Sequence, residues 1–452
     1  MPVESTTHTT VTDDERRWVR KAAIAGGVGT LIEYYEFSVY GFLAIIIAPL
    51  FFPNADPVVG LLSALAVFGV GYVVRPLGGL FFGYIGDRYG RKASLILTLV
   101  LMGFGSAAMG FLPTYEQIGA LAAALLLVIR LLQGFSAGGE LGGAATLISE
   151  AAPEREKAKY GAFAPMGGNG GFALAAAVVG ILLVTTNDAQ MQSWGWRIPF
   201  LMAVPLTLFC LWVRSRAAET HDPVQHERRA RFPIAAVVVN EPLVLLKATG
   251  IAIATQGTGY IGLSYLSIHL INQSGYEKGH VYWVAMIVIA ISAALMPFGG
   301  LLADRFGAGR VMASSFAGYL IVAYPAMMAM DHGLLIAGLA YLAIVINTVG
   351  AQVGAYTLLP QLFAKQNRYT GVATAINLGT IIGGGTAPYM RLADRTVRKC
   401  PRASILRHHC RRNRTRVTRR PVQAAQHAVR PMINGNDSLE RTSKCSAPVQ
   451  TS

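Results

Sequence analysis

Three carboxylates and an arginine stand inside long apolar stretches of this sequence, where a charge costs at least about 2.5–3.5 kcal/mol to insert. Glu33 and Glu36 are three residues apart, so they share a helix face, with Tyr40 nearly above Glu33. A carboxylate withdrawn from water can exchange a proton in the neutral pH range. Arg130, Gln133 and Glu140, together with Ala137, fall in roughly an 80° stripe at about 100° per residue, which makes one polar wall. Arg130 can bind a substrate carboxylate bidentately. It can equally be locked in a permanent ion pair with a helix-one glutamate, and both readings stay open. Further along, Gln256, Tyr260 and Tyr265 are candidates to line a cavity, as are Asn347, Gln352 and Asn377. His269, near a helix end, reads first as a surface or packing residue. We expect Glu33, Glu36 and Glu140 to handle protons, and Tyr40, Arg130, Gln133, Gln256 and Tyr260 to hold the substrate.

The elements that must position these residues are set by composition. The 452 residues are 53% hydrophobic and only 14% charged, against about 25% charged in soluble proteins. Mean hydropathy is +0.44. Eleven apolar blocks run near 22–50, 58–84, 93–112, 117–149, 161–184, 198–213, 243–271, 280–302, 311–330, 333–359 and 371–390. Such lengths cross about 30 Å of hydrocarbon as helices, and lipid admits helices or closed barrels only. The ten-residue alternation of a barrel is not visible. The expected class is an all-α membrane protein in contact with the bilayer. Gly134, Gly138 and Gly142 are spaced for close contact with a neighbouring helix. Cys210, Cys400, Cys410 and Cys445 form no metal or disulfide pattern, and we expect no metal and no cofactor.

Charge orders the loops. Of the net +15, residues 391–452 hold fifteen Lys and Arg against three Asp and Glu; that net of +12 leaves the preceding 390 residues at +3. The basic balance therefore belongs to one short segment and does not indicate a nucleic-acid partner. Cations gather before the first block and in the even connections: Arg16, Arg17, Arg20, Lys21; Arg88, Arg91, Lys92; Arg155, Lys157, Lys159; Arg214 to Arg231; Arg305, Arg310; Lys365, Arg368. The odd connections hold few, chiefly Arg197 and Lys278. The positive-inside bias then places the N-terminus in the cytoplasm. The expected organisation is a cytoplasmic N-terminal segment over 1–21, a six-helix half over 22–213 and a cytoplasmic loop over 214–242. A five-helix half over 243–390 and a basic, disordered tail over 391–452 follow.

The two halves echo each other. Gly83-Tyr84-Ile85-Gly86-Asp87-Arg88-Tyr89-Gly90, followed by Arg91-Lys92, ends the second block; Gly300-Leu301-Leu302-Ala303-Asp304-Arg305-Phe306-Gly307 ends the eighth. A weaker echo follows blocks four and ten, where Tyr160-Gly161 and Tyr369-Thr370-Gly371 open the next helix. Parallel repeats with a site between them are a transporter architecture.

This G-x-x-x-D-R-x-G-R-K loop resembles the signature of the major facilitator superfamily. Further strings resemble its metabolite:proton symporter family: Glu33-Tyr34-Tyr35-Glu36-Phe37, Arg75-Pro76-Leu77-Gly78-Gly79, Gln133 to Glu140, and Trp194-Gly195-Trp196-Arg197-Ile198-Pro199-Phe200. The resemblance covers residues 20–390 and implies a fold of two six-helix pseudo-repeats, here with about eleven transmembrane helices and the twelfth missing. It also implies a gating role for Gly83, Asp87, Arg88, Gly90, Arg91, Asp304 and Arg305. Members of the family carry proline/betaine, α-ketoglutarate or shikimate.

The expected function is a proton-coupled symporter of a small polar metabolite in the plasma membrane, monomeric, and not an enzyme. Three acids against one intramembrane arginine favour a zwitterion such as proline or glycine betaine, whose ammonium could meet Tyr34, Tyr35, Tyr40 or Tyr260. An organic-acid:proton symporter is the alternative; a non-transporting sensor or an inactive truncated product is the alternative of another class. The abrupt change after Tyr389 to Arg-, Pro- and His-rich text suggests a shifted reading frame.

Overall fold

Apolar segments that must satisfy their own backbone groups become helices, and among the described residues every regular element of the computed structural model is helical. The described residues are 13–53, 56–89, 91–216, 233–364 and 368–384. Gly90, Gly83 and the side chains of Asp87, Arg88 and Arg91 lie outside the description, as do residues 217–232 and the tail with its expected disorder and missing twelfth helix.

The first six helices are α1 (Asp13–Phe51), α2 (Pro57–Tyr89), α3 (Arg91–Gly110), α4 (Ala120–Ala137 and Glu140–Ala151), α5 (Phe163–Thr185) and α6 (Ala203–Arg216). Five more follow. Helix α7 comprises Pro242–Tyr260, a π-turn at Ile261–Tyr265 and Leu266–Asn272. Then come α8 (Lys278–Phe306), α9 (Ala308–Ala329), α10 (Leu334–Leu362) and α11 (Arg368–Gly379), the last running into a π-turn at Thr380–Gly384. Helix α1 has 39 residues, about 58 Å at about 1.5 Å per residue; its basic first turns therefore project beyond the apolar block expected at 22–50.

Nine helices among the described residues are long and apolar enough to cross a membrane, and Thr370–Gly383 is a shorter apolar one. Helix α7 is not among the nine, because Lys247, Thr255, Gln256 and Thr258 interrupt its apolar run. The stretch expected as a solvated loop over 214–242 is also partly helical. Arg214 is the buried end of α6, and Pro233–Asn240 forms a helix of its own.

Lipid supplies no hydrophobic drive between helices, so association depends on close packing and buried polar contacts. Helix α4 lies against α2 with backbones touching. A Cβ on Gly134 would meet the Gly71 carbonyl, and one on Gly138 would sit 2.7 Å from the Gly79 nitrogen. Gly142, on the same stripe, meets Ala373 of α11 instead, with a Cβ 3.0 Å from its Cα. The glycine ladder thus joins α4 first to its own half and then to the other. Helix α5 packs on α1 and α8, and α11 on α7, α4 and α2. Leu320, Ile321 and Tyr324 of α9 face outward, at 79%, 73% and 73% exposure, as lipid-facing side chains do.

Candidate functional site

A cavity opens where α1 and α5 of the first half meet α7 and α10 of the second. Its lining has three chemistries: the aromatic Tyr34, Phe172, Tyr260 and Tyr356, the amides Asn169, Gln256 and Gln352, and small or apolar groups. None of these is charged. Its volume is about 20 Å³, room for about one water. The π-turn of α7 begins beside Tyr260, and such turns break helix regularity at functional sites.

Hydrogen bonds in and around this cavity join the halves and brace the second. The Tyr34 and Tyr356 hydroxyls are 3.5 Å apart, and those of Tyr72 and Tyr260 share a 2.5 Å bond. Asn169 donates to Ser292 Oγ at 2.8 Å, and Tyr282 donates to the Phe42 carbonyl at 3.0 Å. Gln256 donates to Thr380 Oγ1 at 2.9 Å, which ties α7 to the π-turn after α11.

The charges lie inside the first half. Glu33 pairs with Arg75 of α2, Oε1 to Nη1 at 3.0 Å, both buried. Glu140 is clasped by Arg214 through both guanidinium ends, one at 3.1 Å, and also accepts from Thr98 Oγ1 at 3.2 Å. Glu36 lies beside Ser106, Thr207 and Arg130 without a hydrogen bond to either oxygen. Arg130 is 1% exposed, has no hydrogen-bond partner on any guanidinium nitrogen, and stacks 3.6 Å above the Tyr40 ring. A desolvated cation–π contact of this kind contributes about 2 kcal/mol. Arg75 lies similarly over Phe37, at 4.2 Å. Phe37, Tyr40, Phe68 and Tyr72 form the aromatic cluster under both guanidiniums.

The expected site is therefore divided. Gln256 and Tyr260 line the cavity; Tyr40, Arg130, Gln133 and the three glutamates are buried in the first half. Gln133 donates to Ser106 Oγ at 2.8 Å, and the Tyr40 hydroxyl donates to the Ala64 carbonyl at 2.9 Å. The expectation of three acids against one arginine is corrected: among the described residues three buried acids face three buried arginines, Arg75, Arg130 and Arg214. In the sequence Arg75 stands inside the second apolar block, within the Arg75-Pro76 motif, and Arg214 one residue past the sixth block, within the expected loop. Counting every charge within a turn of each block would have found both. Of the other candidates, Gln352 lines the cavity, whereas Asn347 donates to the carbonyl of Ala343 and Asn377 to that of Gly138. Tyr265 and His269 lie side by side with their rings tilted by 39°, 6.1 Å between centroids.

Asp304 of the second signature copy reaches across the halves. Its two oxygens accept from the backbone N–H groups of Ala158 and Lys159, at 2.8 and 2.9 Å. Gly300 permits the approach, since a Cβ there would be 2.7 Å from the Ala158 carbonyl. Arg305 is exposed and stacks on Phe306 at 5.3 Å.

The chain has relatives of known family. The profile of the Major Facilitator Superfamily matches residues 26–388. The proline/betaine transporter of Escherichia coli K12 is 35% identical over 395 residues, covering 83% of this chain and 78% of its own. The shikimate transporter of the same strain is 33% identical over 383 residues, covering 83% and 87%. Among solved structures, the proton:xylose symporter XylE bound to 6-bromo-6-deoxy-D-glucose superposes with a TM-score of 0.71 at 16% identity, over 85% of this chain and 90% of that one. At that identity the likeness speaks for the fold. This multi-pass membrane protein belongs to the major facilitator superfamily, and to its transporters.

Proposed function

We propose that the chain is a proton-coupled symporter for a small zwitterionic osmolyte, with proline and glycine betaine as the first candidates. The observation that carries this reading is the uncharged, aromatic- and amide-lined cavity on the half interface, one layer of side chains away from a buried acid–arginine cluster. A quaternary ammonium is favoured by tyrosine faces, and a net-neutral solute avoids the cost of burying an unpaired charge. The relatives named as proline/betaine transporters support the same class.

In this reading Glu33, paired with Arg75, and Glu36, on the same face of α1, exchange the coupling proton. Glu140, held by Arg214 from two directions, acts as a clamp between α4 and α6. Gln256 and Tyr260 bind the substrate. Asp304 fastens the halves at the signature-loop end, and Asp87 with Arg88, Gly90 and Arg91 does so in the first copy. The N-terminus and that end face the cytoplasm, in the plasma membrane, and the transporter works as a monomer.

An organic-acid symporter is the second reading, favoured by the shikimate transporter among the relatives. Uptake of labelled proline, glycine betaine and α-ketoglutarate into transport-deficient cells, with and without a protonophore, separates the two. Accumulation of proline or betaine that collapses with the protonophore is expected. Uptake of α-ketoglutarate alone would reverse the choice, and accumulation indifferent to the protonophore would remove proton coupling.

A further inference from the structure

Tyr72, buried on α2, stands between the charge cluster and the cavity. Its hydroxyl shares the 2.5 Å hydrogen bond with Tyr260, and either oxygen can be the donor. Beside its ring the Arg75 guanidinium carbon is 4.8 Å from the centroid, and Arg75 in turn pairs with Glu33 at 3.0 Å. Tyr260 lines the cavity. Glu33, Arg75, Tyr72 and Tyr260 thus form an unbroken run from a buried carboxylate to the substrate space. We propose that Tyr72 is a positioning residue that reports the charge state of the Glu33–Arg75 pair to the cavity by setting the direction of the Tyr72–Tyr260 hydrogen bond. This rests on the symport reading above.

A tyrosine hydroxyl has one proton to donate and lone pairs to accept with. If Tyr72 donates to Tyr260, the Tyr260 proton is free to point at a substrate carboxylate. If Tyr260 donates to Tyr72, only its lone pairs face the cavity. A cation beside the Tyr72 ring stabilises the electron density that its oxygen gains on donating, so Arg75 favours the first direction. An ionised Glu33 offsets that field, and a protonated Glu33 does not. Proton uptake at Glu33 and carboxylate binding at Tyr260 therefore favour each other, and by linkage the effect is reciprocal. The proton stays on Glu33; only two hydroxyls rotate.

Other charges frame the run. Around Glu33 these are Arg75 of α2, Glu140 of α4, Arg214 of α6 and Glu36 on its own helix. Around Tyr72 they are Arg75 and Arg130, with the Tyr34 phenol near. Tyr260 faces Tyr72, Tyr34 and Arg75. Arg214 and Glu140 neutralise each other, which leaves Glu33 as the group whose protonation changes the field of Arg75.

The test deletes one hydroxyl. Tyr72→Phe keeps the ring beside Arg75 and removes only the bond to Tyr260. Binding of labelled proline to the purified protein is measured in mildly alkaline and mildly acidic buffer. A hydrogen bond to a charged group corresponds to about a ten- to hundredfold change in Kd, so the parent is expected to bind more tightly in acid within that range. Tyr72→Phe should flatten this pH ratio towards one, and the double variant with Tyr260→Phe should be no worse than Tyr260→Phe alone. A Tyr72→Phe protein that keeps the parental ratio overturns the proposal.

A second measurement needs no substrate. In a chain with its native cysteines replaced by alanine, Gly259→Cys places a thiol on the cavity wall, where a Cβ has 3.3 Å to Gln352 Nε2. Each Tyr→Phe change should speed its labelling, and the two together should do no more than one. Independent, multiplying effects overturn the tie between Tyr72 and Tyr260. If the parent binds no proline, the symport reading of this cavity fails, and the labelling cycle still decides the tie.

Discussion

Glu140 offers the sharpest test, because its expected proton role and its place in the structure call for different results. Both guanidinium ends of Arg214 contact it, one at 3.1 Å, and Thr98 adds a third bond. At an effective dielectric constant of about 20, two unit charges at that distance attract by about 5 kcal/mol. Removing one partner of a buried pair strands the other and costs about 3–5 kcal/mol. Glu140→Leu should fall at the upper end and Glu140→Gln, which keeps one acceptor, at the lower. With about 2 °C of Tm per kcal/mol for large domains, the single variants should melt about 6–10 °C below the parent. Glu140→Leu combined with Arg214→Leu should recover most of that loss, short of the bond Arg214 also makes to the Leu95 carbonyl. The assay is thermal unfolding in detergent, with proline uptake measured in parallel. A Glu140→Gln protein with parental Tm but no pH-driven uptake would make Glu140 a proton carrier. A double variant less stable than either single would refute the clamp.

Glu33→Gln and Glu36→Gln should each abolish accumulation driven by an acid exterior while leaving counterflow; if both concentrate proline as the parent does, the proton travels elsewhere. Asp304→Ala removes the acceptor for two backbone N–H groups, so a cysteine at Ala158 should label faster while proline Kd stays put. Unchanged labelling with a large loss of affinity would end the latch role. Gly138→Ala forces a methyl against the Arg75 and Gly79 backbone and should destabilise by about 1–3 kcal/mol or more, read as a lowered Tm; a parental Tm would mean that α2 and α4 can part freely. For the tail, one of the other two reading frames downstream of codon 389 should encode about twenty consecutive apolar residues, the length of a membrane helix. Neither frame doing so would make the basic tail genuine.

The fold was largely legible, since the length of apolar runs is a physical requirement of the bilayer and prints itself on the chain. The signature repeat located corresponding ends of the two halves, and the structure puts Asp304 on a backbone contact between them. Helix ends were less legible. Arg16 to Lys21 continue α1 outward because a helix need not stop where hydrocarbon does. Nor did hydropathy foresee the π-turn of α7, because an extra residue in one turn has no compositional mark.

The site was legible in its ingredients and not in its partition. Periodicity puts Arg130, Gln133 and Glu140 on one face of one helix, but it cannot say which helices that face meets. The turn at Gly138-Gly139 divides the stripe. Arg130 then faces Tyr40 of α1, while Glu140 faces Arg214 of α6. A charge count over blocks fails for a related reason: Glu33 and Glu140 are each balanced by an arginine close in space, Arg75 and Arg214, whatever its distance along the chain. The uncharged cavity wall and the charge cluster behind it are thus separate layers of the structure. Tyr72 and Tyr260, whose hydrogen bond joins that cluster to the cavity wall, are 188 residues apart, and no window along the sequence contains them both.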